Sequence, residues 1–137
     1  MRVFVYYNLH KHCLSIRAQS GPDKGKVVGY ACALVLEDVE FRVSQAGRQR
    51  VLRERAKNVH AGLAGTLKWH QDFDNKASQE KPLLPTLADE PGIALSYDPY
   101  RWSTFVRLTD EQPVARAACC QVLGKTIQAW GVELART

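Results

Sequence analysis

No stretch of this 137-residue chain approaches the roughly 18 consecutive apolar residues that a membrane-spanning helix needs, so a membrane is not an expected partner. The first residues, MRVFVYYNLHKHC, lack an apolar run ending in small residues, and secretion through a signal peptide is not expected. There is no Cys-x-x-Cys pair, which removes zinc ribbons and thioredoxin-type redox motifs. There is also no G-x-x-x-x-G-K loop followed by Ser or Thr, which removes the P-loop NTPases. Aromatic residues make up only 9% of the chain and acids are nearly missing from one stretch, Arg42 to Lys68.

What is present suits a folded protein. With 45% apolar and 24% charged residues, the chain is neither disordered nor fibrous, and its length fits one domain spanning residues 1–137. The four cysteines divide between small-residue apolar runs (Cys32 in YACALVL, Cys119–Cys120 in AACCQVL) and the segment His10-Lys-His12-Cys13. Free thiols in such runs fill core space, and neighbours on a strand point to opposite faces, so Cys119 and Cys120 do not act as a pair. Alternation likewise separates Cys13 from His10 and His12, so no metal is expected there. Unpaired thiols fit a reducing cytoplasm.

Hydrophobic periodicity outlines the elements. Arg2–Tyr7 is rich in β-branched and aromatic residues, and Cys13–Ala18 alternates as a half-buried strand does. Lys26–Leu36 reads as a buried strand, and Val39, Phe41 and Val43 alternate in another beyond Glu37-Asp38. Ser44 can cap a helix, and QAGRQRVLRERAK continues it to about Asn58. The polar, proline-containing stretch from about 69 to 91 reads as a flexible loop. Gly92–Tyr97 and Thr104–Leu108 return to strand, and AACCQVL and TIQAWGVEL close the chain as a hairpin across Gly124-Lys125. The expected fold is therefore α+β: a mostly antiparallel sheet of about six to eight strands with one principal helix, Ser44–Asn58, against it. Exposed strand edges would suit a homo-oligomer.

Charge is the main functional signal. The net charge is +5, yet Arg42–Lys68 holds seven basic residues and one acid, leaving the rest of the chain with 12 basic and 13 acidic groups. At about 100° per residue, Arg50, Arg53 and Lys57 fall opposite the apolar arc of Val51, Leu52 and Val59, where a solvated or nucleic-acid-facing stripe belongs. Arg48 and Arg55 fall inside that arc, two turns apart. An arginine there snorkels, pairs with an internal carboxylate, or meets a ligand anion.

The following segment, Lys57-Asn58-Val59-His60-Ala61-Gly62-Leu63-Ala64-Gly65, offers donors beside glycines that allow close backbone approach, or else only a helix cap. His60 and His70 lack the neighbours that a two-histidine phosphoesterase uses, and no Ser-His-Asp set can be assigned, so catalysis is not expected and no cofactor is implied. Tyr97-Asp98-Pro99-Tyr100-Arg101-Trp102 interleaves aromatics with a cation around a turn. Such a cluster can stack a base or simply pack a corner.

The strings SGPDKGKVV, LEDVEFRVSQAGRQRVLRERAKNVHAGLAG and SYDPYRWSTFV resemble a group of small proteins encoded by tailed bacteriophages. That resemblance brings no catalytic residue with it. It implies action in a bacterial host cytoplasm, where small phage proteins often counteract host defence.

The function expected from these readings is non-catalytic capture of a phosphate-bearing ligand, a nucleotide signal of host defence. Arg48 and Arg55 would clamp phosphate, Lys57, Asn58, His60 and the Gly62 backbone would donate, and Tyr100, Arg101 and Trp102 would stack a base. One alternative is DNA or RNA binding through Arg50, Arg53 and Lys57. Another is inhibition of a host defence protein complex.

Overall fold

A computed structural model describes residues 1–55, 61–72 and 91–135. In chain order they form β1 (Arg2–Asn8), β2 (Cys13–Ala18), β3 (Val27–Val43), α1 (Gln45–Glu54), β4 (Ala61–Asp72), β5 (Ile93–Ser96), β6 (Val106–Arg107), β7 (Val114–Leu123) and β8 (Thr126–Leu134). All eight strands join one antiparallel sheet in the order β2-β1-β4-β3-β7-β8-β5-β6, and β2 also pairs with β3. Strands β1 to β4 therefore close on themselves as a ring, while β7, β8, β5 and β6 extend from β3 as an open wing. The α+β class is observed, with a single helix among the described residues.

β3 is the spine. Its first residues pair with β2, residues 33–40 pair with β7, and β4 runs beside residues 31–43. Flanked in this way, Ala33, Leu34, Val35 and Leu36 are all buried. The break expected at Glu37-Asp38 is a bulge inside one continuous strand. The β3–β4 register shifts between Glu37 and Glu40, and Asp38 adopts φ 51°, a left-handed conformation that aspartate tolerates better than most residues. Arg2 fixes the bulge by donating to the Asp38 carbonyl at 2.8 Å, and Arg116 meets the Asp38 carboxylate at 3.3 Å.

Two expectations are corrected. The segment Ala61–Gly65 is not a loop, and the pattern does not end at Trp69, because Ala61–Asp72 is one strand in the middle of the ring. Its glycines serve packing: a Cβ on Gly62 would lie 2.5 Å from the Val5 carbonyl oxygen and 2.6 Å from the Phe4 ring. A Cβ on Gly65 would lie 3.1 Å from the Glu37 carbonyl oxygen. Beyond it, Lys68 to Asp72 alternate exposed and half-buried, as a strand with one wet face does. Residues 73–90 of the expected loop lie outside the described residues.

The helix is also shorter than Ser44–Asn58. The Ser44 hydroxyl caps it by accepting from the Gly47 N–H at 3.1 Å. It stops at Glu54 because Arg55 turns left-handed at φ 53° and donates its N–H to the Val51 carbonyl, closing the C-terminus. Val51 is its one fully buried residue.

The core lies inside the ring and under the wing. It is built from Val3, Val5, Leu14, Ile16, Leu34, Leu36, Val39, Leu63, Leu95, Phe105, Val114, Val122 and Ile127 among others. All four cysteines are free thiols. As the alternation predicts, Cys120 is buried and Cys119 faces the other way, half-exposed. Pairing β2 on both sides removes one of the free edges on which self-association was expected.

Candidate functional site

The helix and the turn after β5 come together. Asp98 organises that turn: its carboxylate accepts from the Tyr100 N–H at 3.0 Å, and its carbonyl accepts from Arg101 and Trp102. α1 lies against it through two side chains. Gln45 donates to the Ser103 carbonyl at 3.0 Å, and Arg48 Nε donates to the Trp102 carbonyl at 2.9 Å. Arg48 is half-buried and also reaches Tyr97. Burial pushes the Tyr97 phenol above its ordinary value, while the Arg48 charge and hydrogen bond pull the other way. The inward arginine thus has an internal partner, a backbone carbonyl rather than a carboxylate.

The other expected ligands separate. Arg55, being left-handed, does not extend the Arg48 line and stands exposed at the helix end. Helical spacing placed the two on one line, and the early stop of the helix removes that line. Arg101 pairs with Glu111 and stacks over Trp102, its guanidinium carbon 4.8 Å from the ring. Tyr100 points into solvent and is 53% exposed. Gly62 sits within β4, against the Phe4 ring, and lines a cavity together with Tyr97. Lys57, Asn58 and His60 lie outside the described residues. On the outward face of the helix, Arg50 is exposed, and Arg53 is exposed and 3.6 Å from Glu54. His70 pairs with Asp72 at 2.9 Å on the open face of β4.

A cavity opens where three elements meet: the end of β1, the turn after β5 and the β7–β8 turn. It holds about 330 Å³, and its walls are mostly apolar: Val5, Leu14, Leu63, Phe105, Val122 and Ile127. Five of its lining residues carry polar side-chain atoms: Tyr6, Tyr7, Ser96, Tyr97 and Lys125. The Lys125 ammonium stands 5.1 Å from the Tyr7 ring centroid, a cation–aromatic contact. The Tyr97 and Phe105 rings lie 5.3 Å apart along one wall. Apolar walls with a few convergent polar groups are the usual form of a small-molecule site.

Sequence reasoning did not pick out this constellation. Tyr7 and Lys125 are 118 positions apart, and only the closure of the ring sets the end of β1 against the β7–β8 turn. One sign was readable: alternation along β1 puts Tyr7 on the side of Leu14 and Tyr6 on the side of Ser15, so only one of the two can face inward. No group of three or more metal-ligating side chains occurs among the described residues.

The fold is that of a small β-rich α+β domain, and the comparisons give its kinship. The family described as Mycobacterium phage L5 gene 82 protein matches residues 1–129. The gene 82 protein of Mycobacterium phage L5 is 36% identical over 119 residues, covering 82% of this chain and 82% of that protein. The chain belongs to this bacteriophage family. No solved structure matches it significantly. No helix among the described residues is long and apolar enough to cross a membrane.

Proposed function

We propose that this phage protein is a non-catalytic binding protein that captures a nucleotide in the cavity between β1, the turn after β5 and the β7–β8 turn. The carrying observation is the cavity itself, with apolar and aromatic walls and one lysine at its rim. The base and sugar would lie between Tyr7, Tyr97 and Phe105, and Lys125 would meet the phosphate. Arg48 serves this site from behind, holding Tyr97 and the Trp102 carbonyl in place. A volume of about 330 Å³ is at the lower end of the roughly 300–1,000 Å³ typical of ligand sites. That suits one ring system with its sugar better than an extended oligomer. In a phage protein, such a site would sequester a nucleotide signal of host defence.

A thermal-shift screen against mononucleotides, cyclic nucleotides and ADP-ribose tests the reading. A ligand at a hundredfold excess over Kd is expected to stabilise the fold by about 2.7 kcal/mol. Lys125→Ala is expected to abolish the shift, Arg48→Ala to weaken it, and Arg53→Ala to leave it unchanged. A shift lost in Arg53→Ala but kept in Lys125→Ala would refute the cavity as the site.

A further inference from the structure

The outer face of the ring carries a second arrangement, which shares only Tyr6 with the cavity lining. Cross-strand register puts Phe4 beside Arg17, and sets Tyr6, Ser15 and Tyr30 in a row across β1, β2 and β3. Residues paired in this way share a face. The Phe4 and Tyr6 rings are 6.2 Å apart and tilted by 40°. The Arg17 guanidinium lies 5.3 Å from the Tyr6 ring centroid, and the Lys11 ammonium 4.7 Å from that of Tyr30. Two adjoining grooves cross this face and share Phe4, Arg17 and Arg42. One continues to Lys24, the other to Glu40.

The charge is one-sided. Arg17, Lys24 and Arg42 line these grooves, and Glu40, which Arg42 holds at 3.3 Å, is the one acid among the lining residues. Arg17 Nε is buried and has no hydrogen-bond partner among the described residues. A donor held there is available to an acceptor that enters the groove.

We propose that this outer face of β1, β2 and β3 binds single-stranded nucleic acid. The phosphates would run along the groove through Lys24, Arg17 and Arg42, and bases would stack on Tyr6 and Tyr30. Tyr6 and Tyr30 flank β2, so at about 4.8 Å per strand they stand roughly 10 Å apart, a span for two or three nucleotides. Stacking selects single strands, because in a duplex the base faces are already occupied.

Fluorescence anisotropy of the full chain with labelled dT15 and U15 tests this. Binding is expected to weaken with salt, with a log–log slope of about −2 for three phosphate contacts. Tyr6→Ala is expected to weaken it about 5- to 150-fold, the range for one lost stacking contact. Tyr6→Phe should restore it. Arg17→Gln is expected to weaken binding and reduce the slope by about 0.7, with circular dichroism confirming that each variant stays folded. Four results would each overturn the proposal: no binding to either oligomer at low salt, duplex DNA bound as tightly, abasic polyphosphate bound equally by wild type and Tyr6→Ala, or loss of binding in Arg53→Ala with Arg17→Gln unaffected. Lys125→Ala, which tests the cavity, should leave this binding intact.

Discussion

The ring formed by β1 to β4 has two faces of opposite character, made by alternate residues of the same strands. On β1, Val3 and Val5 point inward and are fully buried, while Phe4 and Tyr6 point outward beside Arg17. The inner face supplies the core and ends at the cavity. The outer face pairs half-buried rings with cations and leaves a groove. One strand thereby faces the core on one side and the proposed binding groove on the other, and a shift of one residue in register would exchange the two faces. Where both faces of a strand are covered, as in Ala33–Leu36 of β3, the division disappears and every residue is core.

Substitutions on the two faces are expected to differ in kind, and the inner face gives the largest effect. Leu34→Ala removes a fully buried side chain and is expected to cost about 2–5 kcal/mol in chemical denaturation. A loss below about 1 kcal/mol would show that Leu34 is not enclosed as described. Gly62→Ala comes next, where the faces meet. Its methyl would meet the Val5 carbonyl and the Phe4 ring, and a loss of about 1–3 kcal/mol is expected. Adding Phe4→Ala should recover only the part due to the ring, since the carbonyl cannot yield, so full recovery would reassign the clash.

Arg48→Ala removes the side-chain hydrogen bond to the Trp102 carbonyl and is expected to cost about 1 kcal/mol, with Arg48→Lys only partly restoring it because a lysine lacks the planar fork. Alkaline pH probes the inner thiol of the vicinal pair. Burial raises Cys120 well above the ordinary thiol value of 9.0. The native chain then keeps a proton that the unfolded chain releases. Stability is accordingly intact below that value and falls as the pH climbs past it, by up to about 1.4 kcal/mol per pH unit for this thiol. Denaturation curves at pH 8 and 10 should show the fall, and Cys120→Ala should flatten it. The smallest effect belongs to the outer face: Arg17→Gln should change stability by less than about 0.5 kcal/mol. A large loss there would make Arg17 a structural residue and blur the contrast between the faces.

Much of the fold was legible where side chains repeat with a clear period. Arg2–Tyr7, Cys13–Ala18 and the closing hairpin follow from alternation, and the Ser44 cap from its hydroxyl three residues ahead of an N–H it could reach. β4 was not legible, because Gly62 and Gly65 look like loop residues in a sequence. They are glycines because the Phe4 ring and the Glu37 carbonyl already occupy the space. The Asp38 break read as the end of a strand because a bulge and a turn use the same residue types, and only the partner strands tell them apart.

For the candidate site, the sequence singled out Arg48 and the aromatic turn, and the structure brings Arg48 to Trp102. Arg55 leaves the Arg48 line for a local reason, a left-handed C-cap that helical spacing does not reveal. Tyr7 and Lys125 were out of reach, since neither carries any sign of the other.

By itself, then, the sequence determined the antiparallel character, the capped helix after Ser44, the free and divided thiols, the localised positive charge and the phage kinship. These are local or compositional properties, set by period, residue type and kinship. The tertiary structure alone decided that β2 meets β3 to close a ring, that the cavity lies between β1 and the β7–β8 turn, and that Arg17 joins Tyr6 on an outer face. Those depend on pairings between residues far apart in the chain. The energy of such contacts comes from packing and register, which a one-dimensional pattern does not record.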